Sequence, residues 1–196
     1  MNEEHTKTLW RLAPILYGGR KKSIKENLMP FGFECGDGWF LPIRDLSIKL
    51  EAHNIMLKPF NLKIEATQVK EKYATLRFYY MVLPTDDEYY DPERVLSPEE
   101  EEKLGEQEVM MNYANLITDE LVDKAEEECK HYCEECGEQF YPWYMSKRVM
   151  TTGWYRIVCR DCAQKNNWSY LPYPDDNKDP LAEEEKKLYR KEENKQ

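Results

Sequence analysis

The chain has no run of the roughly 20 apolar residues that a membrane-crossing helix needs, so a membrane is not an expected partner. Its start, Met1-Asn2-Glu3-Glu4-His5, has neither the basic stretch nor the apolar core of a secretory signal, and the expected location is the cytoplasm. Histidine is scarce: the three residues, at positions 5, 53 and 131, form no HExxH motif and no Ser/His/Asp set. There is no dinucleotide-binding glycine fingerprint and no internal repeat. The stretch Gly18-Gly19-Arg20-Lys21-Lys22-Ser23 lacks the spacing of a P-loop and reads as a basic loop. No catalytic residue is assigned, although a carboxylate or arginine site built on Asp37, Glu71 or Arg77 would leave only faint traces in a sequence.

What is present is a chain of 196 residues, 41% hydrophobic and 34% charged, enough for one ordinary domain with a small accessory module. The net charge of −10 is unevenly placed. Residues 1–80 carry +4, residues 86–130 carry −13, residues 131–168 carry +1 and residues 169–196 carry −2. A central acidic block argues against nucleic-acid contact over the whole surface, because each phosphate contact needs a Lys or Arg.

The expected fold is α+β. Leu9, Trp10, Leu12, Ile15 and Leu16 recur at helical spacing between Thr6 and Tyr17, with Gly18-Gly19 as the stop. Leu46, Ile48, Leu50 and Ile55 predict a second helix after Trp39-Phe40-Leu41-Pro42, ending before Lys58-Pro59. The alternating runs 62–69 and 75–82 predict an antiparallel β-hairpin joined through residues 70–74. Asp86-Asp87-Glu88 reads as a surface loop. Ser97, Pro98 and Glu100 then form a capping box at the start of a long acidic helix, whose expected apolar face is Val109, Tyr113, Leu116, Ile117 and Leu121. The expected organisation is an N-terminal α+β domain over 1–92, an acidic helical segment packed on it over 93–131, a metal module over 132–168, and a charged tail over 169–196.

The metal module rests on Cys133-Glu-Glu-Cys136 and Cys159-Arg-Asp-Cys162, two CxxC pairs separated by 22 residues. Thiolates at that spacing on tight turns can face one tetrahedral ion, and four of them suit Zn2+ while leaving no open position for a catalytic water. Gly137 permits a knuckle, residues 154–158 read as a strand feeding the second pair, and Ala163-Gln164-Lys165 favour a helix after it. This order resembles a treble-clef zinc finger, with a zinc ribbon as the alternative. Cys129 and His131 lie close enough to Cys133 to compete as ligands, whereas Cys35 reads as a small core residue.

Two strings, Gly32-Phe33-Glu34-Cys35-Gly36-Asp37-Gly38-Trp39-Phe40 and the run from Ala66 to Tyr79, together with the metal module, resemble a family of uncharacterised small proteins encoded by bacteriophages and prophages. The resemblance covers roughly residues 28–165. The family's strings are similar to GFECGDGW and QVKEKFGTLRFY, and this chain departs at Tyr73 and Ala74, where the family has Phe and Gly. Ala in place of Gly disfavours a positive-φ turn at that position. The resemblance implies a phage origin, with the host cytoplasm as the setting, and no chemistry.

The leading expectation is a noncatalytic zinc-containing phage accessory protein that binds a host or viral macromolecule. An alternative is single-stranded nucleic-acid binding by the metal module, through Lys147, Arg148, Arg156 and Arg160 interleaved with Trp143, Tyr144, Trp154 and Tyr155. A further alternative groups Lys70, Lys72 and Arg77 with the Gly36-Asp37-Gly38 turn as a pocket for a small anion. On the plainer reading of that turn, Asp37 caps the helix entered at Trp39.

Overall fold

Pro14 restricts the residue before it to extended backbone, and the first helix accordingly ends early. In the computed structural model, which describes residues 1–85, 96–140 and 147–173, α1 spans Glu3–Leu12 and stops at Ala13 instead of running to Gly18. Asn2 caps it by accepting the His5 N–H at 2.8 Å. A two-residue strand, β1 (Phe33–Glu34), follows, and then α2 (Phe40–Leu57), which ends in the Lys58–Phe60 turn.

The expected hairpin is present and longer than its alternation suggests. β2 (Leu62–Lys72) and β3 (Thr75–Pro84) pair antiparallel from Leu62↔Pro84 to Lys72↔Thr75, leaving only Tyr73-Ala74 as the turn. Both turn residues have positive φ, 54° and 61°. That corrects the expectation drawn from Ala74: a two-residue hairpin needs such angles to match strand twist, and cross-strand pairing holds the alanine there. β1 adds to β2 in parallel, through Phe33↔Val69 and Glu34↔Lys70.

Ser97 and Glu100 form the expected capping box on α3 (Pro98–Cys129), and Pro98 is its first residue. Its buried face, however, is Ala114, Thr118, Val122, Ala125 and Cys129, with Leu121 packed beside it. Val109, Tyr113 and Leu116 face solvent. Small side chains let α3 lie close to α2 and β3, so the seam follows size as well as hydropathy. Leu9, Leu16, Trp39, Ile43, Leu50, Ile64 and Leu76 are among the residues of the main core.

The C-terminal module is a second, smaller core. β4 (Arg148–Thr151) is flanked by β5 (Ile157–Cys159) and β6 (Tyr170–Pro172), both antiparallel to it, with α4 (Arg160–Lys165) following β5. The tail expected from residue 169 therefore begins with a strand, since Tyr170 pairs with Thr151. The loop at 86–88, the rest of that tail from 174, and Trp143 and Tyr144 lie outside the described residues. Among the described residues no helix is long and apolar enough to cross a membrane.

Candidate metal centre

Cys133, Cys136, Cys159 and Cys162 come together from two separate turns, their sulfurs all within 4.8 Å of one another. The first pair sits on a knuckle: the Gly137 N–H donates to the Cys133 carbonyl at 2.8 Å, with Gly137 at φ 77°. The second pair sits at the start of α4, where Cys159 is the N-cap and its sulfur accepts the Cys162 N–H at 3.4 Å. The Cys159 N–H in turn donates to the Cys133 sulfur at 3.1 Å. Cys136 and Cys159 place their sulfurs 3.8 Å apart, close to the edge of about 3.8 Å that a tetrahedron with metal–sulfur bonds of about 2.3 Å requires.

The electrostatics of the cluster call for a cation. Burial pushes the Cys133, Cys159 and Cys162 thiols up, Cys162 to about 12, and neighbouring thiolates add to the rise. Cys136 is the exception. Burial acts upward on it too, but the Glu138 N–H and the surrounding thiols hydrogen-bond to its sulfur and bring it down. Without a positive ion, four ionised sulfurs this close would repel one another; with one, ligation replaces the protons. These four residues can hold a metal ion such as zinc. Neither competitor joins them: Cys129 is fully buried in the main core, and His131, like Cys129, is outside the cluster.

Both strings that carry the family resemblance converge on this module. The Gly38 N–H donates to the Glu134 carbonyl at 2.8 Å, and the Gly36 N–H to the Glu134 carboxylate at 3.0 Å. A Cβ on Gly36 would collide with the Glu134 carbonyl, and one on Gly38 with the Cys133 carbonyl and the Gly137 nitrogen. Trp39 is fully buried and aims its Nε1 at the Tyr132 carbonyl, 3.4 Å away. From the second string, the methyl group of Ala74 is buried in the module's own core beside Cys133, Phe140 and Ile157.

Asp37 does not cap α2. Its carboxylate accepts the Asn2 N–H at 2.6 Å and lies 3.2 Å from His5 Nδ1, which ties the start of α1 to this turn. Burial opposes ionisation of Asp37, but these donors outweigh it and hold the carboxyl below its usual range.

The residues considered for anion binding are not gathered at that turn. The cleft of about 480 Å³ beside Asp37 is lined by Glu34, Glu71, Glu135 and Arg156, and by none of Lys70, Lys72 or Arg77. Alternation along β2 turns Lys70 and Lys72 away from the face of Glu71. Lys70 instead lies over Tyr79, Lys72 lies over Tyr73, and Arg77 pairs with Glu126 at 3.0 Å. In the basic loop, Lys22 reaches the buried Glu65 at 2.7 Å.

Of the residues considered for a nucleic-acid surface, two arginines face inward. Arg148 is 3% exposed, donates to the Lys130 carbonyl and stacks on Tyr173. Arg156 pairs with Glu134 and Glu135, each at 3.1 Å, and lies over Trp168. Lys147 stands 3.9 Å from Glu138. Arg160 opens α4 and is half-buried. Trp154 is 74% exposed, its Nε1 donating to Glu71 at 2.9 Å.

Sequence reasoning missed Glu134. Inside a CxxC pair it reads as a spacer, yet it is 2% exposed and accepts from Gly36 and Arg156. Burial pushes its carboxyl up against the pull of Arg156. The closely spaced pair Gly36 and Gly38 was the available signal, since two such glycines mark a site where another backbone approaches. Compared with known protein families, curated proteins and solved structures, the chain matches none of them.

Proposed function

We propose that this chain is a noncatalytic zinc-containing accessory protein of phage origin, in which a treble-clef-like module is fastened to an α+β body and the whole binds a host or viral macromolecule. The observation that carries the metal part is the cluster of four sulfurs, all within 4.8 Å of one another, with those of Cys136 and Cys159 3.8 Å apart, and served by backbone N–H donors. Four thiolates fill the tetrahedral positions of zinc, which makes the ion's role structural. Support for a treble clef over a ribbon comes from the second pair, carried by the N-cap and first turn of α4 instead of a second knuckle.

The binding role is supported by how the two strings are used. Gly36 and Gly38 meet the module backbone to backbone and Ala74 is buried in its core, so the body and the module present one joined surface to a partner. The test has two parts. Elemental analysis of the purified full chain should give one zinc per chain, and a folded chain with no bound metal would sink the metal reading. Affinity capture from infected host cells, with a nuclease-treated control, should recover one discrete partner that survives nuclease; recovery of nothing above background would sink the binding role.

A further inference from the structure

A second cleft, of about 510 Å³, opens on the metal module between the β4–β5 turn and the loop joining α4 to β6. Each loop supplies one indole, Trp154 from the first and Trp168 from the second. Arg156 also lines the cleft, its guanidinium carbon 4.9 Å from the centre of the Trp168 ring. Thr151, Thr152, Asn167 and Ser169 give it polar lining, with Gly153 beside them. The two loops are tied together, because Thr152 donates both its N–H, at 2.8 Å, and its hydroxyl, at 3.2 Å, to the Ser169 carbonyl.

Trp154 is the informative residue. An indole this exposed ordinarily samples several rotamers, but here Nε1 donates to Glu71 at 2.9 Å, a bond that spans 83 residues and favours one ring position. A large aromatic face is thus held open to solvent by a contact from the other part of the molecule. Gly153, at φ 85° with open space where a Cβ would point, lets a ligand approach the backbone beside that face.

From this geometry we infer that the cleft is a binding site for a neutral saccharide. A pyranose ring offers an apolar face of C–H groups that stacks on indole, and a rim of hydroxyls that suits the amide of Asn167 and the hydroxyl of Ser169. The volume lies within the range of small-ligand sites, of roughly 300–1,000 Å³. Charge separates this ligand from a nucleic-acid strand. The guanidinium in the cleft already faces the carboxylates of Glu134 and Glu135, and Glu71 sits on the Trp154 nitrogen, so a phosphodiester would meet net negative charge. The inference rests on the folded, metal-loaded module proposed above and names the ligand class of one of its surfaces.

The test uses the zinc-loaded full chain, titrated by calorimetry and tryptophan fluorescence with maltotriose, cellotriose and chitotriose, and separately with single-stranded oligothymidylate. At least one trisaccharide should bind saturably. Trp154→Ala should weaken it about tenfold or more, with zinc content and circular dichroism unchanged. Asn167→Gly, which suits the left-handed backbone of that exposed position (φ 54°), should weaken it by a smaller factor. Glu71→Gln leaves one side-chain oxygen for two donors, the Ala74 N–H at 2.7 Å and the indole N–H at 2.9 Å, so it should loosen the ring and weaken saccharide binding by a small factor. The inference is overturned if no trisaccharide binds, if Trp154→Ala and Asn167→Gly both leave affinity unchanged, or if oligothymidylate is the ligand and Glu71→Gln tightens it. A zinc-loaded, folded chain that ignores all three sugars overturns this inference alone, whereas a folded chain without zinc overturns the metal reading.

Discussion

Gly38 donates its backbone N–H to the carbonyl oxygen of Glu134 at 2.8 Å, so the turn leading into α2 and the knuckle carrying the first two metal ligands share a hydrogen bond. No side chain fits between them, because a Cβ at 38 would overlap the Cys133 carbonyl. Both neighbours are backbone, so they cannot swing aside. Gly38→Ala should therefore destabilise the chain by roughly 3 kcal/mol and separate the module from the body. Denaturant unfolding measures the loss, and amide shifts at Gly36 and Gly137 report the separation. Unchanged stability would contradict the close approach.

Metal removal should act first on the smaller core. Among the described residues its buried side chains are few, so ligation supplies much of the module's folding free energy. Cys159→Ser with Cys162→Ser, or chelation of the native chain, should abolish hydrogen-exchange protection in β4, β5 and α4. The β2–β3 hairpin should keep most of its protection. Loss of protection everywhere at once would mean that the two cores unfold as one.

Cys35 gives a pH dependence whose sign is fixed by burial. Burial pushes its thiol up to about 12, against an ordinary value of 9.0. The unfolded chain therefore ionises first as pH rises. The stability that the protonated thiol retains is complete below pH 9.0 and is lost on the way to about pH 12, by about 1.4 kcal/mol per pH unit. Cys35→Ala should have a shallower decline over that window than the native chain. At neutral pH Cys35 should resist alkylation until the chain unfolds, its thiolate being about a thousandfold scarcer than that of an ordinary thiol. Rapid labelling of Cys35 in the native fold would contradict this.

Local signals carried much of this structure. The Ser97 capping box, the period-two runs of the hairpin and the paired CxxC spacing are each written in a few adjacent residues, and each is present, the hairpin running on past its alternating stretches to Lys72 and Pro84. What was illegible depends on distant partners. Nothing near Asp37 in sequence says that its carboxylate is held by Asn2, and nothing in Cys133-Glu134-Glu135-Cys136 says that Glu134 is enclosed by Gly36 and Arg156. The buried face of α3 differs from the expected one, apart from Leu121, for a related reason. Its packing selects small residues such as Ala114 and Ala125, while Val109 and Leu116 are left outside.

The hairpin turn stores removable strain. Tyr73 and Ala74 both have positive φ, and Tyr73 is exposed, so its side chain contributes little burial in exchange. Asn tolerates the left-handed region better and is favoured at the first position of such two-residue turns. Tyr73→Asn should stabilise the chain by about 0.5–1 kcal/mol, visible as a raised melting temperature, even though the contact of Lys72 with the Tyr73 ring is lost. Ala74→Gly should gain less, because its methyl group is buried in the module core. A fall in melting temperature on Tyr73→Asn would show that the ring matters more than the backbone.

Arg156 separates a structural role from a nucleic-acid role in one experiment. Its guanidinium pairs with Glu134, which is 2% exposed, and with Glu135 at the rim. Removing it leaves the Glu134 carboxylate buried without its cation, and breaking a buried pair from one side costs about 3–5 kcal/mol. Arg156→Ala should therefore lower stability by an amount of that order. Adding Glu134→Gln should recover part of the loss, because the neutral amide still accepts the Gly36 N–H and leaves no charge unpaired. If Arg156 instead served a nucleic-acid strand, Arg156→Ala would leave stability nearly intact and reduce the salt dependence of binding by about one phosphate contact. Unfolding curves for the single and double variants, set beside salt-dependent oligonucleotide binding, decide between the two. The pairing geometry predicts a large loss of stability with partial rescue, and no change in salt slope.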